Sequence, residues 1–228
     1  MQKNPIIISV GGSLIVQDTI NVNFLSNLKL ILEEQIKKGE RFILVTGGGK
    51  TARTYQAGIR AFFPESQIDG DWIGIHTTIL NANLVKQIMK AHAHDVLVGD
   101  PTIKHEWNSA ILVAAGYEPG HSTDYDAVCL ANTYNVKKII NLSNIDYVYD
   151  SDPRNNPHAK KIEIMNWAEF MNVIPKEWSP GLNSPFDPTA ARLAKDSDIE
   201  VAMINGDYLD RLQDCIENKP FMGTKIHP

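Results

Sequence analysis

The sequence predicts an α/β protein: a three-layer α/β/α sandwich on a mostly parallel central sheet. Three observations predict it. Short blocks rich in Val, Ile and Leu alternate with longer segments of helical period. The short blocks are apolar at nearly every position, as strands covered on both faces are. Glycine turns follow two of them directly, which is where open parallel sheets gather their ligands. No internal repeat, low-complexity tract or Gly/Ser/Pro linker divides the 228 residues, so one domain over residues 1–228 is expected.

The elements follow in order. Ile6-Ile-Ile-Ser-Val10 reads as a buried strand, and Phe24 to Lys38 as an amphipathic helix with Leu25, Leu28, Ile31, Leu32 and Ile36 on its apolar face. Gly39 stands where that helix should end, and Phe42-Ile-Leu-Val45 is the second strand. Helices are expected at about 51–60 and 72–92, strands at 95–98 and 110–113, a helix at about 124–135 and a strand at 137–142. Beyond a turn-rich insert at 150–157 come helices near 166–172 and 187–195, a strand at 200–204 and a helix near 208–216. Residues 62–70 and 179–188 read as surface loops.

Composition excludes several classes. Hydrophobic residues are 43% and charged residues 21% of the chain, which argues against disorder, collagen and coiled coil. The formal net charge of −5 gives no case for nucleic acid or an anionic membrane as partner. The apolar run before Gly11-Gly12 is too short for a signal-peptide core, and no apolar stretch is long enough to span a bilayer. With only Cys129 and Cys215, far apart, no disulfide framework is expected, and the expected location is the cytoplasm.

The chemistry is expected at three turns: Val10-Gly11-Gly12-Ser13, Thr46-Gly47-Gly48-Gly49-Lys50 with Arg53 shortly after it, and Pro119-Gly120-His121-Ser122-Thr123-Asp124 opening a helix. Glycine lets backbone approach an anion, and helix N-termini present free N–H groups and a positive dipole end. Three such turns at one sheet edge could hold a chain of phosphates. Each alone is a weak signal. Neither the G-x-x-x-x-G-K-[ST] spacing nor G-x-G-x-x-G occurs, and the histidines form no metal set.

Taken together, the blocks IIISVGGSLIV, FILVTGGGKTAR, DWIGIHTTILNAN, PGHSTDYDAV, LSNIDYVYDSDPRNNPHAKKI, NSPFDPTAARLA and GTKI resemble, in order, the amino-acid-kinase superfamily, and within it the archaeal-type uridylate kinases. The resemblance implies an amino-acid-kinase-like fold, transfer of the ATP γ-phosphoryl to UMP with Mg²⁺, and a homohexamer. It places Ser9, Val10, Gly11, Gly12 and Ser13 around the ATP phosphates, with the Gly11 and Gly12 amides as donors. Gly49 and Arg53 would also reach ATP, and Ser143, Asn144, Tyr149 and Asp152 would line its nucleoside. Gly48 would contact UMP, Asp71 would hold its ribose, and Pro119, Gly120, His121, Ser122 and Thr123 would cradle its phosphate. No metal-ligating side chain is assigned.

Two positions depart from the superfamily pattern. Ser9 stands where many members have Lys, which leaves Lys50 and Arg53 as the cations expected to act in catalysis with Gly11 and Gly12. Asp126 stands where small apolar residues are usual, and it has no assigned role. Asp71 is alternatively the cap of a helix beginning at Trp72, and Asp187 a helix N-cap before Pro188. Two other functions stay open: a kinase for another acceptor such as isopentenyl phosphate, and a non-catalytic ATP- and oxoanion-binding protein resembling molybdenum storage proteins.

Overall fold

A computed structural model of the chain describes residues 3–64, 67–178, 182 and 184–228. The elements are β1 (Ile6–Val10), α1 (Gly12–Ile15), α2 (Val22–Lys37), β2 (Phe42–Thr46), α3 (Gly49–Phe62), α4 (Gln67–Ile88), β3 (Ala93–Val98), β4 (Ile111–Ala114) and α5 (Thr123–Thr133). They continue with β5 (Lys138–Ser143), β6 (Val148–Tyr149), β7 (Lys161–Ile162), β8 (Ile164–Asn166), α6 (Trp167–Val173), α7 (Pro188–Asp196), β9 (Glu200–Asn205), α8 (Leu209–Ile216) and β10 (Thr224–His227).

Among the described residues the main sheet has eight strands in the order β3-β4-β2-β1-β5-β9-β10-β8, parallel except where β10 meets β9. In-register pairing sorts the side chains by layer. Ile7 lies beside Ile43 and Ile139, and Ile139 beside Val201; Ile8 lies beside Leu44 and Ile140, and Ile140 beside Ala202. The first set packs with Val128, Ala131, Trp167, Phe170, Ala190 and Ala194 of α5, α6 and α7. The second packs with Leu28, Leu32, Val85, Met89 and Leu212 on the opposite face. Period-2 alternation inside an all-apolar strand therefore feeds two cores, which is why these strands show no polar face.

Local signals set several boundaries. The Asn21 side chain accepts from Phe24 N at 3.1 Å and starts α2. Asn166 and Glu169 form a reciprocal capping box on α6. Asp187 caps α7 through Thr189 N and Ala190 N, with Pro188 in the first turn. β1 is central: the chain leaves it toward β2 on one side and returns to its other side at β5. A topological switch of this kind opens a crevice at the C-terminal strand ends.

The structure corrects two readings. The stretch 62–70 is mostly helical, because α3 runs to Phe62 and α4 begins at Gln67. The Asp71 carboxylate therefore cannot cap a helix starting at Trp72; it lies inside α4. Of the other expected loop, 179–188, residues 179–181 and 183 lie outside the described residues; 184–187 form no helix or strand, and Pro188 opens α7. The two cysteines are free, Cys215 buried and Cys129 half-buried.

Candidate active site

At the C-terminal edge of β1 and β2 the first two glycine turns lie backbone on backbone. A Cβ at Gly12 would fall 2.0 Å from Gly49 N, and a Cβ at Gly49 would fall 2.3 Å from Gly12 O. Gly49 also has φ 67°, a conformation that side-chain-bearing residues adopt at a cost. These glycines are thus required for the turns to meet, whatever binds over them. Asn81 of α4 braces the second turn, donating to Gly47 O at 2.8 Å and Gly48 O at 3.2 Å. Thr78 braces the neighbouring strand end: its hydroxyl accepts from Gly116 N at 2.8 Å and donates to Ile75 O.

A cleft of about 260 Å³ opens beside this turn, between α3, α4 and the 116–123 loop. Its lining brings together Gly48, Gly49, Arg53, Asp71, His121, Ser122 and Thr123, residues separated in sequence and united by the sheet edge. Arg53 is exposed and has no ion-pair partner among the described residues. Asp71 is buried and accepts from Gly120 N at 3.1 Å, which ties α4 to the third turn. Burial holds the Asp71 carboxyl above its usual range, partly offset by that N–H and by His121.

Beneath the third turn lies a group of acids. Asp124 is half-buried as a residue, but its carboxylate is enclosed. Its Oδ1 accepts from the Ser9 hydroxyl at 3.2 Å and Asn141 Nδ2 at 2.8 Å, and its Oδ2 accepts from Asp187 N at 3.3 Å. Desolvation, and then the neighbouring Asp187, push Asp124 up to about 7. Asp187 in turn accepts from Ser122 N at 2.9 Å. Asp126 is 1% exposed, and its Oδ1 lies 3.5 Å from His121 Nε2.

Other expected residues are placed differently. The Gly11 amide, expected to face phosphate, donates instead to Leu142 O at 2.8 Å, because β1 continues its pairing with β5 one residue past the strand. The Lys50 ammonium pairs with Asp18, so that exposed contact must be exchanged before it can meet an anion. Asp152 holds Arg154 through both carboxylate oxygens within its own turn, which keeps it in a local contact. Tyr149 sits in β6, paired with Lys161 of β7, and Asn144 is exposed. Ser143 ends β5 beside Gly11, and its buried hydroxyl lacks a hydrogen-bond partner. Pro119 and Gly120 belong to the third turn but lie outside the cleft lining. Val10 and Ser13 flank the first turn.

The sequence reading missed Asn81, Thr78, and the joining of Asp124 to Asp187. The last pair is 63 positions apart and carries no local periodic signal. Ser9 offered the one clue to it: a hydroxyl in an otherwise apolar strand needs a buried acceptor.

This fold and site define a class. The amino acid kinase family model matches residues 4–205, and the chain belongs to that family. Among curated relatives, a uridylate kinase from Thermococcus sibiricus is 31% identical, covering 98% of this chain and 99% of its own. One from Pyrococcus abyssi is 32% identical over the same shares. Among solved structures, uridylate kinase from Archaeoglobus fulgidus superposes with a TM-score of 0.81 at 26% identity, covering 97% of this chain and 99% of that one.

Proposed function

We propose that the chain is an enzyme that phosphorylates UMP: ATP + UMP gives ADP + UDP. Full-length similarity to archaeal uridylate kinases supports it. The observation that carries it is the cleft where the second glycine turn and the third turn converge with Arg53 on its wall. The acceptor oxygen of UMP is already ionised, so the reaction needs no general base. The chain's part is to align donor and acceptor in line and to offset charge as the phosphoryl moves.

In this reading the free amides at the start of α1 and α3 receive the ATP phosphates, and Arg53 spans to the transferring group. Asp71 takes the UMP ribose, while Ser122 and Thr123 at the N-terminus of α5 receive its phosphate. Lys50 joins on leaving Asp18. Ser143, Asn144, Tyr149 and Asp152 border the ATP nucleoside, with Asp152 the residue that must rearrange most.

Mg²⁺ fits as an ion brought by the nucleotide. No group of three or more His, Cys, Asp or Glu among the described residues forms a metal site. Asp124 and Asp187 already accept N–H and O–H donors. An ion that keeps waters and substrate phosphates as ligands suits this donor set. When bound, it would neutralise phosphate charge.

The test is ADP release with ATP, Mg²⁺ and a panel of acceptors: UMP, CMP, AMP, isopentenyl phosphate and none. Turnover with UMP is expected. Turnover with another acceptor alone would discard the acceptor half of the assignment, and ATP binding without turnover would favour oxoanion storage, which elemental analysis for Mo or W would then reveal.

We also infer one domain, a homohexamer and a cytoplasmic location. Trp72 and Leu80 on α4, with Tyr55 and Phe62 on α3, are large exposed hydrophobics that suit an interface. A solution mass near 25 kDa by light scattering would refute assembly. No helix among the described residues is long and apolar enough to cross a membrane.

A further inference from the structure

Asp126 is a buried acid lining the cleft for which the proposed reaction has no use. It stands in the first turn of α5, 1% exposed, lining the same cleft as Arg53 and Asp71. Its Oδ1 has no hydrogen-bond partner, nor has the buried Nε2 of His121 that faces it at 3.5 Å. That distance is too long for a well-formed hydrogen bond but close enough for charge attraction. The imidazole is further fixed by packing against the Tyr125 ring, with centroids 4.2 Å apart and the planes tilted by 39°. Its Nδ1 has no partner among the described residues and is not sealed from solvent.

We propose that Asp126 is a positioning residue that keeps the His121 imidazole cationic and oriented, so that His121 meets the acceptor's phosphate opposite Arg53. The inference rests on the cleft being the acceptor site. An acid buried without a cation is costly, and the cation facing Asp126 is His121. A dianionic phosphate entering this cleft would meet Asp71 from α4 and Glu118 from the loop, besides Asp126 itself, with Asp187 of the α7 cap buried behind Ser122. Arg53 from α3 is one offsetting charge, and a protonated His121 is the second. Burial draws the ring toward neutrality, but Asp126, Glu118 and Asp187 outweigh it and raise His121 above its ordinary value. Burial likewise raises Asp126, with His121 opposing, so the two share their proton as a unit. The arrangement selects phosphomonoester acceptors over carboxylates, because the second negative charge is what repays two fixed cations.

The test is steady-state kinetics of the full chain with ATP and UMP from about pH 5.5 to about pH 8.5, for the native protein, Asp126→Asn and His121→Gln. In the native protein KM for UMP should rise as pH climbs through the His121 titration. Asp126→Asn should move that rise to lower pH and lift KM for UMP by up to about tenfold at the alkaline end of the range, which corresponds to about one unit of displacement. KM for ATP should change by less than about twofold, and His121→Gln should remove the inflection. The acceptor phosphate's own second ionisation, near pH ~6, enters every profile equally. Identical UMP profiles for the native protein and Asp126→Asn would overturn the inference, as would a parallel rise in both KM values. A native protein inert toward UMP but active on another acceptor would overturn the acceptor assignment first. A second measurement needs no Asp126 variant: NMR titration of the native His121 ring, whose midpoint should rise on saturation with UMP and would refute the contact by staying fixed.

Discussion

The two ends of the sheet differ in a way that volume alone misrepresents. At the N-terminal strand ends lies a cleft of about 1080 Å³, lined by Lys138, Lys225, Glu163 and Glu200 among others. Its charged groups have partners: Lys225 pairs with Glu200 at 2.6 Å, and Lys138 donates to Cys215 O at 3.2 Å. At the C-terminal ends the cleft is about a quarter of that size, yet it holds an exposed arginine, enclosed carboxylates and the orphaned His121 and Asp126 atoms. Charges that already have partners need no ligand. Groups left unsatisfied inside a folded protein cost free energy and persist where a ligand completes them.

Mutation can break this contrast, and the largest effect should come from Arg53. Arg53→Ala should lower kcat by on the order of 10²–10³, the scale of losing one charge-stabilising donor. His121→Ala should lower kcat far less, acting through KM for UMP, and equal kcat losses would show that the phosphates are misplaced. Gly12→Ala comes next. Its Cβ would meet Gly49 backbone at 2.0 Å, so urea denaturation should show a loss of about 3 kcal/mol or more.

An effect smaller per pH unit concerns Asp124. Its carboxyl titrates higher folded, at about 7, than its ordinary value of 3.8. The stability linked to it is therefore whole below the lower value and is lost as pH rises toward the higher one, at up to about 1.4 kcal/mol per pH unit. The native urea midpoint should fall across that window, and Asp124→Asn should flatten the fall. No flattening would mean that Asp124 is not the buried acid responsible. Smallest of all, Lys225→Ala at the opposite end should cost under about 1 kcal/mol and leave turnover intact, since the pair is part-exposed. A loss of turnover there would erase the distinction between the two ends.

The sheet was largely legible because buried parallel strands announce themselves as unbroken apolar runs: Phe42–Thr46 is buried at every position. Elements with few apolar residues were not. β10 buries Ile226 between exposed or polar neighbours, and β6 and β7 are two residues each. The start of α4 was hidden because its first turns carry Asp69, Gly70 and Asp71, while its packing against α3 supplies what propensity lacks. The site's glycines and Asp71 were readable from local chemistry and family resemblance together. The Gly11 amide was not, since its acceptor, Leu142, comes from a strand more than a hundred residues away.

Asp187 has a mechanical consequence. One carboxylate oxygen holds the first amides of α7, the other takes the amide of Ser122, and its own N–H reaches Asp124. The third turn and the head of α7 are thereby hinged on a single side chain. Ligand binding at the loop should register as slowed deuterium uptake at Thr189 and Ala190, so a helix remote in sequence can serve as the gauge of occupancy.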